Sequence, residues 1–124
     1  MLDEGIDIKV TSRYLKEHSD PPNRRFAFAY SVDIVNRGDV GVKLINRHWQ
    51  IRDDNNHVEE VKGEGVVGQQ PVIEPGQTFH YTSGAIIATE FGTMQGSYEM
   101  VRQDGVKFET PIPAFLLSRP YTVH

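Results

Sequence analysis

Residues 24–37 alternate between large apolar side chains and small or polar ones, and few folds accept such a stretch. They read RRFAFAYSVDIVNR. One parity holds Phe26, Phe28, Tyr30, Val32 and Ile34, and the other holds Ala27, Ala29, Ser31 and Asp33. Successive side chains of a β-strand point to opposite faces, so this pattern predicts a strand with one face in a core. A sheet of a two-layer sandwich requires such a strand.

The same period of two recurs along the chain, and no stretch has a convincing helical period. Strands are predicted at residues 6–11, 42–54, 57–61, 77–84, 92–103 and 106–117 in addition to the first. In the stretch 42–54, Ile45, Trp49 and Ile51 are predicted to point inward, with Arg47 at the same parity and at the rim. About seven strands predict a single antiparallel β-sandwich, immunoglobulin-like or fibronectin type III-like, forming one domain over residues 1–124.

Turn residues separate these strands. Asn55-Asn56 and Asp104-Gly105 favour hairpin turns, and Glu74-Pro75-Gly76 combines a fixed φ at proline with a glycine that accepts positive φ. Pro111 and Pro113 lack the N–H that a central strand needs. The last strand is therefore predicted to lie at an edge of its sheet or to carry a bulge.

Composition narrows the function classes. The chain has 124 residues, no cysteine and a net charge of −4. The absence of cysteine excludes disulfides and cysteine chemistry, and the acidic balance argues against a nucleic-acid partner. The first residues lack the features of a signal peptide, and no apolar stretch is long enough for a membrane helix. We therefore expect a cytoplasmic protein without a membrane partner.

The stretch KGEGVVGQQP contains Gly63, Gly65 and Gly68 in the GxGxxG spacing of dinucleotide-binding loops. That fingerprint works only where a strand turns into a helix whose N-terminus faces the pyrophosphate. Pro71 and Pro75 follow closely, so no helix is expected, and Glu64 adds negative charge where phosphates would lie. The spacing is therefore interpreted as a wide glycine-rich loop rather than as a nucleotide site.

The predicted loop, residues 63–76, is long for a hairpin connection, and long loops in compact domains are often functional. It carries Val66, Val67, Val72 and Ile73. Apolar side chains that do not fold back onto the sandwich would form a patch of the kind that binds proteins. Because a loop this rich in glycine cannot easily anchor both side chains, we expect at least one of Val66 and Val67 to be exposed.

No pattern for catalysis or metal binding is present. The five histidines show no HxH or HExxH spacing, and Asp53-Asp54-Asn55-Asn56-His57 departs from a calcium loop at its required glycine. No GxSxG elbow occurs. The sequence predicts no catalytic residue, no specific metal ligand and no cofactor, with weak surface binding of Mg²⁺ or Co²⁺ by Asp53, Asp54 and His57 as the alternative.

The run GEGVVGQQPVIEPGQTFHYTSGAIIATEFGTMQGSYEMVRQDGVKFETPIPAFLL resembles the core signature of the ApaG family, and YSVDIVN and RHWQI upstream also match it. The resemblance covers nearly the whole chain. It implies a fibronectin type III-like sandwich without an established catalytic activity. Bacterial members are associated with cobalt and magnesium resistance or efflux. The same domain is appended to eukaryotic F-box proteins and to a polymerase-delta-interacting protein, where it resembles a protein-interaction module.

Two functions from different classes follow. The first is a non-enzymatic module that binds an unidentified protein partner. The module is expected to be a monomer or a weak homodimer. The alternative is a small-ligand sensor for a phosphorylated nucleotide, pyrophosphate or a divalent cation near the GEGVVG loop; an enzyme ranks third. The predicted binding residues lie in the glycine loop and in the neighbouring Ala85-Ile86-Ile87 turn: Gly63, Glu64, Gly65, Val66, Val67, Gly68, Ile86 and Ile87.

Overall fold

The structure, a computed structural model, describes residues 5–120, and the ends of the predicted domain, residues 1–4 and 121–124, lie outside the described residues. Eight strands form two antiparallel sheets: β1 Ile6–Tyr14, β2 Phe26–Asn36, β3 Val42–Asp53, β4 Val58–Glu64, β5 Val72–Ile73, β6 Thr78–Ile87, β7 Phe91–Arg102 and β8 Lys107–Ser118. Two single-turn 3-10 helices, Lys16–His18 and Pro21–Asn23, connect β1 to β2.

The strands are arranged as a two-layer sandwich. One sheet has the order β1-β2-β6, and the other has the order β4-β3-β7-β8, with the short β5 also paired to β3. This arrangement confirms the predicted all-β sandwich. The expected seven strands become eight because β5, only two residues long, lies within the stretch that was predicted as loop.

The core lies between the sheets and contains the large apolar face of β2. Trp49 is only 2% exposed. Its ring packs edge-on against Tyr30, Tyr98 and Phe115, with centroid separations of 5.3, 6.3 and 5.9 Å. Met94, Tyr98 and Met100 are also buried. Two facing apolar layers thus fix the positions of the strands that carry the candidate site.

The predicted turns are confirmed. Asn56, Gly76 and Gly105 all have positive φ, at 62°, 83° and 91°.

The strand with two prolines, β8, lies at the edge of its sheet, and its register against β7 shifts where Pro113 and Ala114 together face Gln95. The open side of β8 has no neighbouring strand within residues 5–120, so a proline whose missing N–H would face that side costs no hydrogen bond between strands.

The inward position predicted for Ile45 is wrong. The register between β3 and β7 shifts between Leu44 and Asn46, so a bulge absorbs Ile45 and reverses the alternation. Before the bulge Leu44 is fully buried; after it Trp49 is buried, and Ile51 packs against the core as predicted. Arg47 keeps the parity of Trp49 and thus lies on the inner side of the sheet.

Among residues 5–120, no helix is long and apolar enough to cross a membrane.

Candidate functional site

The glycine loop contains a tight two-residue turn at Val67-Gly68. The Val66 N–H donates to the Gln69 carbonyl at 2.8 Å, and the Gln69 N–H donates to the Val66 carbonyl at 2.9 Å. Val67 and Gly68 both have positive φ, at 43° and 81°, as in a type I′ hairpin turn. A β-branched residue with positive φ is a genuine outlier, so the turn holds Val67 in a strained conformation.

Two of the three glycines permit close approaches around this turn. A Cβ at Gly65, whose φ is 61°, would lie 2.1 Å from the Gln69 carbonyl oxygen. A Cβ at Gly63 would lie 2.8 Å from the guanidinium atoms of Arg47, which faces Gly63 across the β3–β4 ladder. Residues 69–77, all described, contain β5 and a turn and no helix, as the sequence predicts.

The structure corrects the boundaries of the predicted site. Gly63 and Glu64 are the last residues of β4 rather than loop, because the β3–β4 ladder extends to the pair Asn46 and Glu64. The predicted turn at residues 85–87 is the end of β6, where it pairs with Phe26–Phe28. The long loop therefore begins only at Gly65.

Burial divides the predicted binding residues. Val66 and Ile87 are 1% and 7% exposed and belong to the core, so their side chains offer no surface to a partner. Val67 and Ile86 are 51% and 49% exposed. The expectation that at least one loop valine is exposed is thus confirmed. Glu64 and Gly68 are also exposed, whereas Gly65 is buried.

A cavity of about 170 Å³ lies beneath the loop tip. Its lining combines residues 66–68 with inner-face residues of three strands: Tyr30, Arg47, Tyr81 and Ser83. We call it the Arg47 cavity. It brings the loop predicted from sequence to the middle of β6, and it is too small for a nucleotide, whose sites run to roughly 300 Å³ or more.

Among the described residues that line this cavity, Arg47 has the only charged side chain. Its Nη1 atom donates to the backbone carbonyls of Glu64 and Gly65, at 2.9 and 3.0 Å. No carboxylate of the described residues lies within salt-bridge distance of the guanidinium. The cavity therefore contains a fixed positive charge that no acid of residues 5–120 pairs with at salt-bridge distance.

Tyrosine hydroxyls complete the cavity. Burial raises the pKa of Tyr30, against the smaller opposing effects of Ser83 and the Arg47 charge. Burial likewise raises the pKa of Tyr81 and of Tyr98 well above the ordinary value of 10. The Tyr81 and Tyr98 hydroxyls are hydrogen-bonded to each other. All three tyrosines are therefore neutral near pH 7 and can donate hydrogen bonds.

The phase of the β2–β6 ladder shows which backbone groups of β6 are free. The Asn36 N–H donates to the Gln77 carbonyl at 3.0 Å, in continuous register with the pairs that follow. Hydrogen-bonded pairs alternate along an antiparallel ladder, so the odd-numbered residues of β6 bond to β2. The even-numbered residues direct their N–H and C=O groups to the open edge: Thr78, His80, Thr82, Gly84 and Ile86.

This open edge differs from the other long edge strands. Each of β1 and β4 carries three or more charged residues, and β8 carries two prolines and a bulge. Natural sheets use charges, prolines and bulges to prevent edge-to-edge pairing. Within the described residues, β6 alone among the four long edge strands has no Lys, Arg, Asp, Glu or Pro over its ten residues. Its edge is therefore open to pairing.

The two sides of the sandwich also differ. On the β1–β8 side the Ser12 hydroxyl donates to the Leu116 carbonyl at 2.6 Å and links the sheets. On the opposite side, a groove of about 530 Å³ borders β6 beyond the Arg47 cavity. Gly84, Ala85 and Ile86 of β6 line it together with Val61 of β4. The Arg47 cavity and this groove follow one another along β6.

Other polar groups form no comparable centre. A polar depression of about 380 Å³ over β3, β4 and β7 includes His48, Lys62 and Glu99, and Arg47 and Gly63 also line it. Residues 5–120 contain no group of three or more His, Asp or Glu placed to hold a metal ion.

Sequence reasoning did not assign Tyr30, Tyr81 and Ser83 to the site and placed Arg47 only at the rim. The available signal was polar side chains at inward positions of apolar strand faces. Ser83 shares the parity of Phe79 and Tyr81, and Arg47 shares that of Trp49. These residues share a cavity only because of the order of the strands in the two sheets. Alternation along the sequence does not determine that order.

Fold and site together define an antiparallel β-sandwich with one undefended strand edge beside a small cationic cavity. The ApaG domain family model matches residues 16–102. The protein is 54% identical to Protein ApaG of Pseudomonas entomophila over 119 residues, 96% of this chain and 94% of that protein. It is 53% identical to Protein ApaG of Xanthomonas oryzae pv. oryzae over the same fractions. The chain therefore belongs to the ApaG family.

Solved structures agree. A Bordetella pertussis protein described as ApaA superimposes with a TM-score of 0.91 at 49% identity, covering 94% of this chain and 95% of that chain. A second X-ray structure, from a structural genomics programme, gives a TM-score of 0.92 at 40% identity, covering 100% and 94%. The second likeness extends over the whole chain, including the strands that form the candidate site.

Proposed function

We propose that this protein is a non-enzymatic interaction module that binds an extended segment of a partner protein along the open edge of β6. The observation that carries the proposal is the undefended edge itself. Five residues of β6 present free N–H and C=O groups there, and an added strand gains its main-chain hydrogen bonds from such groups. The sequence pattern that prevents pairing at the other edges is absent from this strand in the described fold.

The glycine loop supports the same location. Val67 at the loop tip and Ile86 near the end of β6 are both about half exposed. A strand docked on β6 would cover the Arg47 cavity, which Val67 lines, and the groove, which Ile86 lines. Exposed apolar groups beside free backbone donors and acceptors supply both affinity and side-chain selection in strand addition.

Under this proposal the protein acts in the cytoplasm. Cobalt and magnesium resistance or efflux, with which similar bacterial proteins are associated, then depends on the complex that the protein forms with its partner. The protein itself then supplies recognition and no chemistry. In the polar depression Ser97 and His48 are neighbours across the β3–β7 ladder, but the Ser97 hydroxyl donates to Glu109 and the His48 ring is hydrogen-bonded to Glu60. The described residues of the two pockets therefore form no nucleophile–histidine pair, which acyl transfer or hydrolysis by a side chain requires.

The test is a pair of substitutions at one even-numbered residue of β6. Thr82→Pro removes an N–H that faces the open edge and leaves the β2 ladder intact. Thr82→Ala is the matched control, because both changes lose the Thr82–Ser31 side-chain hydrogen bond of 2.8 Å. Partners captured from cell extract and quantified by mass spectrometry should be retained by Thr82→Ala and lost from Thr82→Pro. Retention of every partner by a folded Thr82→Pro variant would contradict the proposal.

A further inference from the structure

We propose that the Arg47 cavity receives an acidic side chain of the strand that pairs with β6, so that the partner segment is selected for one Asp or Glu at a fixed position. The inference rests on the proposed function and adds the chemistry of the occupant. Three features of the cavity carry it: its charge, its hydrogen-bond donors and its position along β6.

The charge is that of Arg47. Nη1 is held by two backbone carbonyls, and Gly63 leaves the space in which the guanidinium lies. Carbonyl acceptors orient a guanidinium without neutralising it. Since no described carboxylate pairs with Arg47, the remaining N–H donors are available to an anion from outside. A guanidinium offers donors in a planar fork that matches the two oxygens of a carboxylate.

The hydroxyls of Tyr30 and Tyr81 add donors around the same space, and the Ser83 hydroxyl is hydrogen-bonded to Tyr30. With Tyr98 as the donor in the bond between the two tyrosines, the Tyr81 hydrogen is available to a group in the cavity. A single carboxylate fits within about 170 Å³. Neutral hydroxyls and one guanidinium suit an anion of one negative charge, whereas a polyphosphate brings more charge than Arg47 alone can balance.

The position follows from strand geometry. Tyr81 and Ser83 are inward-facing residues of β6, two apart, at the wall of the cavity. A strand paired with the open edge sends every second side chain toward this inner side. One such side chain enters the Arg47 cavity, and the next, two residues along, meets the groove formed by Ala85 and Val61. The recognised segment therefore has an acidic residue separated by one position from an apolar one.

The test is selection of random 12-residue peptides displayed on phage against the full protein. Selected peptides should share one Asp or Glu with an apolar residue two positions away. Replacing that acid by its amide should weaken binding at least tenfold, because it leaves the cavity charge buried and unpaired. Arg47→Met, checked for folding by near-ultraviolet circular dichroism, should weaken binding to a similar extent. The two changes together should add little to either alone.

The outcomes separate the two proposals. In one outcome, peptide binding is lost with Thr82→Pro and kept with Thr82→Ala, but it does not depend on the acidic residue or on Arg47. This outcome would overturn the inference and leave the proposed function standing. Peptides unaffected by Thr82→Pro, or a selection without binders, would count against both. Displacement of the peptides by micromolar inorganic pyrophosphate would assign the cavity to phosphate and overturn the inference. The amide peptide changes nothing in the protein, so misfolding cannot mimic the expected result.

Discussion

Val66 and Val67 are adjacent in the chain, yet the structure predicts opposite responses to the same substitution. Val66 is 1% exposed and Val67 is 51% exposed. For Val66→Asp, the lost burial of a valine costs about 1.5–3 kcal/mol. Keeping the new carboxyl neutral in the core at pH 7 costs about 4 kcal/mol more, since its ordinary pKa lies about three units lower and each unit is worth about 1.4 kcal/mol. Together these costs approach the whole stability of a typical domain, about 5–15 kcal/mol.

For Val67→Asp the expected change in the free energy of unfolding is below about 1 kcal/mol. The carboxylate stays in water, and aspartate tolerates the positive φ of 43° better than a β-branched residue does. That relief offsets part of the lost apolar burial. Urea unfolding measures both variants through the fluorescence of Trp49, the single tryptophan, which is 2% exposed in the folded protein.

The control is Val66→Asn, which has the size of aspartate without its charge. A buried aspartate has a raised pKa in the folded state, so the penalty of Val66→Asp relative to wild type is smallest at low pH and grows as the pH rises above about 4. The penalty of Val66→Asn stays constant over that range. A Val66→Asp variant within 1 kcal/mol of wild type at pH 7, or a Val67→Asp variant as unstable as Val66→Asp, would refute the assignment of core and surface at the loop tip.

Hydrogen exchange should show slow amides at the odd-numbered residues of β6 and fast amides at Thr82 and the other even-numbered ones; the opposite alternation would contradict the ladder phase. In an absorbance titration, Tyr30, Tyr81 and Tyr98 should stay protonated in the folded protein at pH 10, because burial raises the pKa of each. Because the pKa of each tyrosine is higher in the folded than in the unfolded state, the stability that the three contribute is complete below pH 10 and is lost as the pH rises above 10. The titration of these tyrosines should therefore lower the melting temperature only above pH 10. Gly63→Ala should displace the Arg47 guanidinium, because the new Cβ would lie 2.8 Å from it. The affinity for acidic peptides should therefore fall at least tenfold in Gly63→Ala and stay unchanged in Lys62→Ala.

The fold was predictable because its signals are local. The alternation in β2, the glycine and asparagine turns and the prolines of β8 each act within a few residues, and all appear in the structure. The position of Ile45 was not predictable in the same way. A bulge adds one residue to one strand and reverses every side chain beyond it, and this one becomes visible only when β3 is paired with β7.

The candidate site was predictable only in part, for a related reason. The loop tip was identified from its length and its glycines, and the exposure of one valine was expected because a glycine-rich loop cannot easily anchor both. The cavity beneath it combines side chains from β2, β3 and β6, which are distant in sequence and meet only because of the strand order in two sheets. The open edge of β6 has the same origin, since a strand becomes an edge through its neighbours and not through its own residues.

The GxGxxG spacing acquires a physical explanation from these contacts. Gly63 makes room for the Arg47 guanidinium, Gly65 allows the close approach of the Gln69 carbonyl, and Gly68 accepts the positive φ of the hairpin turn. Each glycine thus answers a steric demand of the hairpin or of Arg47, and the spacing needs no bound phosphate to account for it. The same three positions fix a guanidinium and a strained apolar loop tip beside an unpaired strand. A pattern that resembles a phosphate loop therefore builds, in this sandwich, the wall of a cavity suited to a single carboxylate.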